Sequence, residues 1–141
     1  MNWRRIIVIG IIVIIVLWLG ITCVSKLGSG TGSVNTPEGA VKSVIMSFEG
    51  RDSAKVASYF TPIPGALMAH RTDSMFTNFD TIDIQNLRVM LILKEGSSAR
   101  VEATYDMVVT VNGAVDTQHV VRTIKLVESV SEKRWLINEA F

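Results

Sequence analysis

Residues 99–126 of the chain, ARVEATYDMVVTVNGAVDTQHVVRTIKL, contain the pattern that decides the fold. Apolar residues occupy every second position in the first half of this stretch, and mostly polar residues lie between them. Such alternation is typical of a β-strand with one buried face. Asn112 and Gly113 follow, and both residues tolerate the positive φ angles of a two-residue hairpin turn. The stretch therefore predicts a long antiparallel hairpin.

The two-residue turn also predicts which residues face each other, because loop length sets the register of a hairpin. Val111 is expected opposite Ala114, and the pairing continues outward from there. The predicted pairs on the apolar face are Tyr105–Val120, Ala103–Arg122 and Val101–Ile124, and those on the polar face are Asp106–His119, Thr104–Val121 and Glu102–Thr123. This register places Arg122 on the apolar face.

Helical patterns precede the hairpin. Thr36 and Pro37 are typical of a helix start, and the apolar residues that follow have helical spacing up to Phe48. Gly50 is expected to end this helix in a left-handed conformation. Asp52 is expected to cap a second, short helix, which the prolines of residues 61–64 should stop. Residues 65–79 are ambiguous and suggest a third, irregular helix.

Strand patterns account for the rest. In residues 87–93, one face of the predicted strand is entirely apolar, and the other face is apolar except for Arg88. This pattern predicts a strand that is buried on much of both faces. Residues 135–141, WLINEAF, predict a final strand. Helices followed by an antiparallel meander of four strands define an α+β domain over residues 37–141.

A different segment begins the chain. Residues 6–24, IIVIGIIVIIVLWLGITCV, contain nineteen residues without a charge, which is enough for a transmembrane helix. Arg4 and Arg5 precede it, so we expect residues 1–5 in the cytoplasm and the domain outside the cytoplasmic membrane. Residues 25–36 form a Gly- and Ser-rich linker.

Three fates of the hydrophobic segment stay open. It can remain as a single-pass signal anchor, it can be cleaved after Ser25, or Cys23 can be lipidated. The residues before Cys23 match a lipoprotein signal poorly, and the anchor is the interpretation we favour. As the only cysteine, Cys23 forms no disulfide within the chain.

Composition excludes several functions of the domain. From Pro37 onward it carries 11 Lys and Arg against 13 Asp and Glu, without a basic stripe, which argues against nucleic acid as a partner. No His or Cys spacing fits a metal site, and no glycine-rich phosphate loop follows a strand. We therefore expect no metal and no cofactor.

The pattern resembles the nuclear transport factor 2-like (NTF2-like) superfamily, whose fold is a cystatin-like cone. The resemblance is carried by the helices TPEGAVKSVIMSFEGRD and SAKVASYFTP and by the closing WLINEAF after three long strands. It implies a strongly curved antiparallel sheet that wraps around N-terminal helices. It also implies that an Asp–His pair or an acid inside the cone can transfer protons.

Four residues are candidates for a ligand pocket in such a cone, although each is also explained as core or sheet edge: Tyr105, Met107, Arg122 and Trp135. An inward-facing arginine could hold an acidic ligand. Asp106 and His119 are a candidate general base with its orienting carboxylate, or simply a surface pair. Their place on the polar face favours the surface pair.

These features leave three functions open. The first is a membrane-tethered interaction module without enzymatic activity, which docks an envelope protein or a second copy of itself. The second is a carrier or sensor of a small molecule in an apolar cone pocket. The third is an isomerase- or cyclase-like enzyme, which would need an ionisable residue inside the cone.

Overall fold

A computed structural model describes residues 34–141. They form three α-helices followed by a four-stranded antiparallel sheet, which confirms the predicted α+β class. The predicted cytoplasmic residues 1–5, the predicted span 6–24 with Cys23, and most of the linker lie outside the described residues. Within residues 34–141, no helix has both the length and the apolar character needed to cross a bilayer.

The first helix, α1, covers Pro37–Ser47 and continues into a 3-10 turn, Phe48–Gly50. Thr36 caps it as predicted, because its side-chain oxygen accepts a hydrogen bond of 3.1 Å from the backbone N–H of Gly39. The completely buried residues of α1 form one stripe: Ala40, Val41, Val44 and Ile45. This stripe packs on the sheet and fixes where the core lies.

The second helix, α2, covers Ser53–Ala57 and is capped by Asp52, which accepts a hydrogen bond from Lys55 N–H. The prediction that Gly50 takes the left-handed conformation is wrong, because Arg51 does so with φ 50°. The 3-10 turn carries the helix through Gly50 and moves the reversal one residue on. Arg51 Nη1 also donates to the carbonyl of Phe79 at 2.6 Å, which holds this residue in place.

The third helix, α3, is regular and covers Pro62–Asn78. The second helix ends before residues 61–64, as predicted, but the expectation that the helix after it is irregular is wrong. Both prolines lie in the first turn of α3, where backbone N–H groups have no partner inside the helix. The same residues that end the previous segment thus begin a new helix.

The sheet consists of β1 (Thr81–Glu95), β2 (Ser98–Val111), β3 (Ala114–Ser129) and β4 (Arg134–Ile137), hydrogen-bonded in that order. The predicted hairpin register is confirmed from Val111–Ala114 through to Val101–Ile124. We call the face that carries Val101, Ala103 and Tyr105 the inner face, because these side chains pack against the helices. The opposite side is the outer face.

The first strand departs from its prediction. Ile82 and Ile84 are buried and Leu87 and Val89 are partly buried, but the four apolar residues that follow are exposed: Met90, Leu91, Ile92 and Leu93. The expectation of burial on both faces is therefore wrong for this half of the strand. Strand β1 lies at the edge of the sheet, and its pairing with β2 shifts at two irregularities, one after Gln85 and one after Leu91. Each irregularity bends the strand and re-aims its side chains.

The last strand is shorter than predicted, because β4 ends at Ile137. From there the chain turns over the inner face, and the Phe141 ring packs against the ring of Phe60 with a centroid distance of 5.4 Å. The ring of Phe48 lies 6.3 Å from Phe141 on another side. Phe141 therefore belongs to the interior instead of the sheet.

Candidate functional site

The outer face carries the predicted Asp–His pair. His119 Nδ1 lies 2.6 Å from Asp106 Oδ1, and the His119 side chain is 65% exposed. Asn86, which has φ 53° at the first irregularity of β1, donates from Nδ2 to the other oxygen of Asp106 at 2.8 Å. The hydrogen bonds from His119 and Asn86 lower the pKa of Asp106 below its ordinary value. Asp106 is thus held as a carboxylate between two partners.

This pair faces away from the helices. Asp106 and His119 pair on strands β2 and β3, one position from Tyr105 and Val120, so the pleat turns them to the opposite side of the sheet. Neither residue lines the pocket on the inner face. The sequence prediction that the pair occupies the polar face therefore agrees with its position.

The inner face holds a pocket of about 150 Å³ between α3 and the sheet, which we call the cone pocket. Three of the four predicted pocket residues line it: Tyr105, Met107 and Arg122. Its other walls come mainly from apolar side chains of the helices and the chain end: Phe48, Met68, Met75 and Phe141. Phe141 occupies part of the interior, and the remaining space opens to the surface.

Cationic groups lie at the mouth of the cone pocket. Arg122 on β3 and Arg71 on α3 both line it and are both exposed. The Arg122 guanidinium carbon lies 5.4 Å from the centroid of the Phe141 ring, a cation–π arrangement that orients the side chain over the pocket. The apolar walls and the two guanidinium groups together suit a ligand with an apolar body and an anionic end.

Tyr105 carries the phenol of the pocket wall. Burial raises the pKa of this phenol, and the positive charge of Arg122 partly offsets the rise. Tyr105 is therefore protonated at neutral pH, and its hydroxyl can donate a hydrogen bond. The residues that line the cone pocket include no acidic side chain and no histidine.

Trp135 does not belong to this pocket, which corrects the prediction. It is buried at the start of β4, opposite Glu128 near the C-terminal end of β3, whereas Tyr105 pairs with Val120. Eight positions of β3 separate these two partners, about 26 Å at the rise of an antiparallel strand. Trp135 instead lies beneath Lys94, whose Nζ is 5.5 Å from the ring centroid.

Sequence reasoning missed several lining residues. Arg71 and Thr72 of α3 were not identified as site residues, nor were Gln118 and Phe141. The signal for α3 was present: Met68, Thr72 and Met75 have the spacing of one helical face. The prolines at the helix start concealed this spacing. No comparable signal exists for Phe141, which reaches the pocket by a turn after β4.

Comparisons with known proteins bear on the fold. No family model matches the chain, and no curated protein matches it. Several solved structures do. An NTF2-like protein with a cystatin-like fold from Novosphingobium aromaticivorans superposes with a TM-score of 0.54 at 9% identity, over 86% of this chain and 87% of that one.

Two further structures are similar. A candidate calcium/calmodulin dependent protein kinase II association domain from Xanthomonas campestris has a TM-score of 0.55 at 16% identity, covering 71% of this chain and 79% of that one. A candidate dehydratase of the NTF2-like family from Streptomyces avermitilis has a TM-score of 0.50 at 14% identity, covering 72% and 93%. At such identities the proteins share a fold. The chain therefore has the NTF2-like, cystatin-like fold that its sequence resembles.

Proposed function

We propose that the domain binds a small anionic molecule with a compact apolar body in the cone pocket. An aromatic or short-chain carboxylate has the required chemistry. The observation that carries this proposal is the combination of apolar walls with Arg71 and Arg122 at the mouth. Because no acidic side chain lines the pocket beside these cations, an anionic ligand would find complementary charge there.

Pocket size limits the ligand. A space of about 150 Å³ equals the engineered apolar cavity that holds one benzene molecule in another protein. A single ring or a chain of about six carbons would therefore fill it, with its carboxylate between the guanidinium groups. The donor hydroxyl of Tyr105 supplies a further polar contact for an acidic oxygen.

Binding without turnover agrees best with the groups present. Proton abstraction needs a base that is unprotonated near neutral pH. The pKa of Tyr105 is raised, which makes its phenolate scarce, and the Asp106–His119 pair lies on the outer face. A carrier or sensor therefore needs only the groups that line the pocket, whereas an isomerase also needs a general base inside it.

Calorimetric titration of the full chain in detergent tests this proposal. Benzoate and hexanoate are expected to bind, and benzamide, which keeps the ring of benzoate but lacks its charge, is expected to bind at least tenfold more weakly. Arg122→Gln should weaken benzoate binding about tenfold or more, since a hydrogen bond to a charged group contributes roughly 1.5–3 kcal/mol. Arg88→Gln is the matched control, because Arg88 is an exposed arginine on β1 that does not line the pocket. Equal binding of benzamide and benzoate would reject the proposal.

We further propose that residues 6–24 tether this domain outside the cytoplasmic membrane. The uncharged run and the preceding Arg4 and Arg5 support this placement. Protease added to sealed cells is expected to digest the domain and spare a short membrane fragment. Digestion only after lysis would place the domain inside and reject the orientation.

A second candidate function is docking of an envelope protein. It is favoured by the exposed side chains of Met90 and Val121, which lie in neighbouring rows of the outer face. A photo-crosslinking residue at position 121 tests it in intact cells. A covalent adduct with another envelope protein supports docking, and an adduct between two copies supports a homo-oligomer. Absence of any adduct counts against both.

A further inference from the structure

The chain enters the domain at one particular end of the sheet. The carbonyl of Val34 accepts a hydrogen bond of 2.9 Å from the backbone N–H of Trp135. Lys94 of β1 lies over the same tryptophan ring. Both the β1–β2 hairpin and the β3–β4 turn are at this end. We call it the linker end of the sheet, and the end at Asn112–Gly113 the far end.

Exposed apolar side chains cluster at the linker end. Ile92 and Leu93, near the β1–β2 hairpin, are 49% and 42% exposed. Ile92 has no partner on β2, because the register shifts between Leu91 and Leu93. Val130, in the β3–β4 turn, is 82% exposed. The last part of β1 and the β3–β4 turn thus present exposed apolar side chains at the same end.

A groove beside these side chains brings cations together. Its volume is about 230 Å³, and Leu93, Arg100 and Lys125 line it together with the acidic residue Glu95. Arg100 and Lys125 face each other directly across β2 and β3. Like charges in this position repel, and the Glu139 carboxylate forms an ion pair of 3.9 Å with Lys125. An anionic oxygen cluster such as a phosphate, placed above the pair, would relieve the repulsion.

The two ends of the sheet differ in charge. Residues 105–119, which form the far end, contain Asp106 and Asp116 and no Lys or Arg. The linker end carries five cations and four glutamates: Lys94, Arg100, Lys125, Lys133 and Arg134, with Glu95, Glu128, Glu132 and Glu139. A negatively charged surface would therefore repel the far end and accept the linker end.

The length of chain before Val34 limits how far this end can move from a bilayer. If the proposed tether ends at residue 24, residues 25–33 span at most about 30 Å when fully extended. If the proposed tether holds, the linker end, where the chain enters the domain at Val34, is within reach of the membrane surface.

We propose that the linker end of the sheet binds the outer surface of the same bilayer. Ile92, Leu93 and Val130 enter the lipid interface, and the groove with Arg100 and Lys125 takes the phosphate of an anionic phospholipid. The inference rests on the proposed tether. Apolar side chains on two separate segments, the end of β1 and the β3–β4 turn, suit a soft lipid surface better than a second copy, which would need one continuous complementary face.

Fluorescence quenching in vesicles tests this arrangement. The full chain with Cys23→Ser is reconstituted into phosphatidylcholine containing about one-third phosphatidylglycerol, so that anionic lipid is available. One variant carries a fluorophore on Val130→Cys at the linker end. The matched control carries it on Val115→Cys at the far end, where the native side chain is 67% exposed. The quencher is a lipid with a spin label at the headgroup.

The expected result is strong quenching at position 130 and little at position 115. Arg100→Gln should reduce the ratio of bound to unbound domain about fivefold, the effect of removing one cation near an anionic surface. Arg88→Gln should leave it nearly unchanged. Similar quenching at both positions, or equal quenching without phosphatidylglycerol, would overturn the inference.

Extraction with alkaline carbonate separates this inference from the tether on which it rests. Protein that resists extraction but shows no quenching at position 130 is tethered without surface binding, which overturns the inference alone. Protein that carbonate removes is not tethered, and both proposals fall. Quenching between labels on two copies at position 130 would assign the surface to self-association and also overturn the inference.

Discussion

Two isoleucines of β1 test which part of this strand is buried in the core. Ile84 is completely buried against the helices, whereas Ile92 is 49% exposed. Ile84→Ala leaves a cavity in the core and should cost about 3 kcal/mol of unfolding free energy, within the usual range for such truncations. Ile92→Ala leaves no cavity and loses only part of its transfer free energy, so about 1 kcal/mol or less is expected.

Urea unfolding of the full chain in detergent, followed by circular dichroism, measures the difference. With a slope of about 1–3 kcal/mol per molar urea, Ile84→Ala should lower the midpoint by about 1–3 M, and Ile92→Ala by at most a third of that shift. Ile84→Val, which removes one methylene, should fall between them at about 1 kcal/mol. Equal shifts for the two alanine variants would contradict the difference in burial between Ile84 and Ile92.

Three further outcomes are expected. The hydrogen bond from His119 lowers the pKa of Asp106. The ionised Asp106 therefore stabilises the fold above its unfolded-state pKa, and this stabilisation is lost as pH falls through the lower folded-state pKa. Asp106→Asn should flatten the decline of the urea midpoint in this acidic range. Gly113→Ala should cost about 1 kcal/mol because φ is +80°, whereas Gly50→Ala, at ordinary φ with open space around its Cβ, should cost nothing measurable by the same assay. Phe141→Ala should widen the cone pocket and shift binding from benzoate toward two-ring acids in calorimetric titration, and an unchanged preference would show that Phe141 does not limit ligand size.

The sheet was predictable wherever a turn fixed the register. Asn112 and Gly113 both adopt positive φ in the structure, and every predicted pair across β2 and β3 is present. The position of Arg122 on the inner face follows from that register alone. Local turn chemistry therefore determines the faces of this hairpin without any information about tertiary packing.

The burial of β1 was not predictable from its sequence. Residues 90–93 are apolar, and such a run usually indicates a strand covered on both sides. The structure leaves them exposed because β1 is an edge strand whose register shifts twice. No turn residue marks the second shift, after Leu91. The sequence pattern describes hydrophobicity, whereas the position of a strand within the sheet depends on the whole chain.

The candidate site was predictable in part for the same reason. Tyr105, Met107 and Arg122 belong to the hairpin, and the cone pocket brings them together. Trp135 was grouped with them because it is aromatic and lies on a strand. Its distance along the sheet became evident only from its pairing with Glu128. Arg71 required the correct start of α3, which the prolines concealed.

The hydrogen bond between Val34 and Trp135 joins residues from the two extremes of the described chain. During synthesis, β4 emerges last, so α1 cannot pack against β4 until nearly all of the domain has been made. Contacts between such distant residues form slowly, since a long loop must close first. Until then, the apolar stripe of α1 lacks part of its cover. The incomplete domain would therefore be a transient substrate for chaperones until β4 is in place.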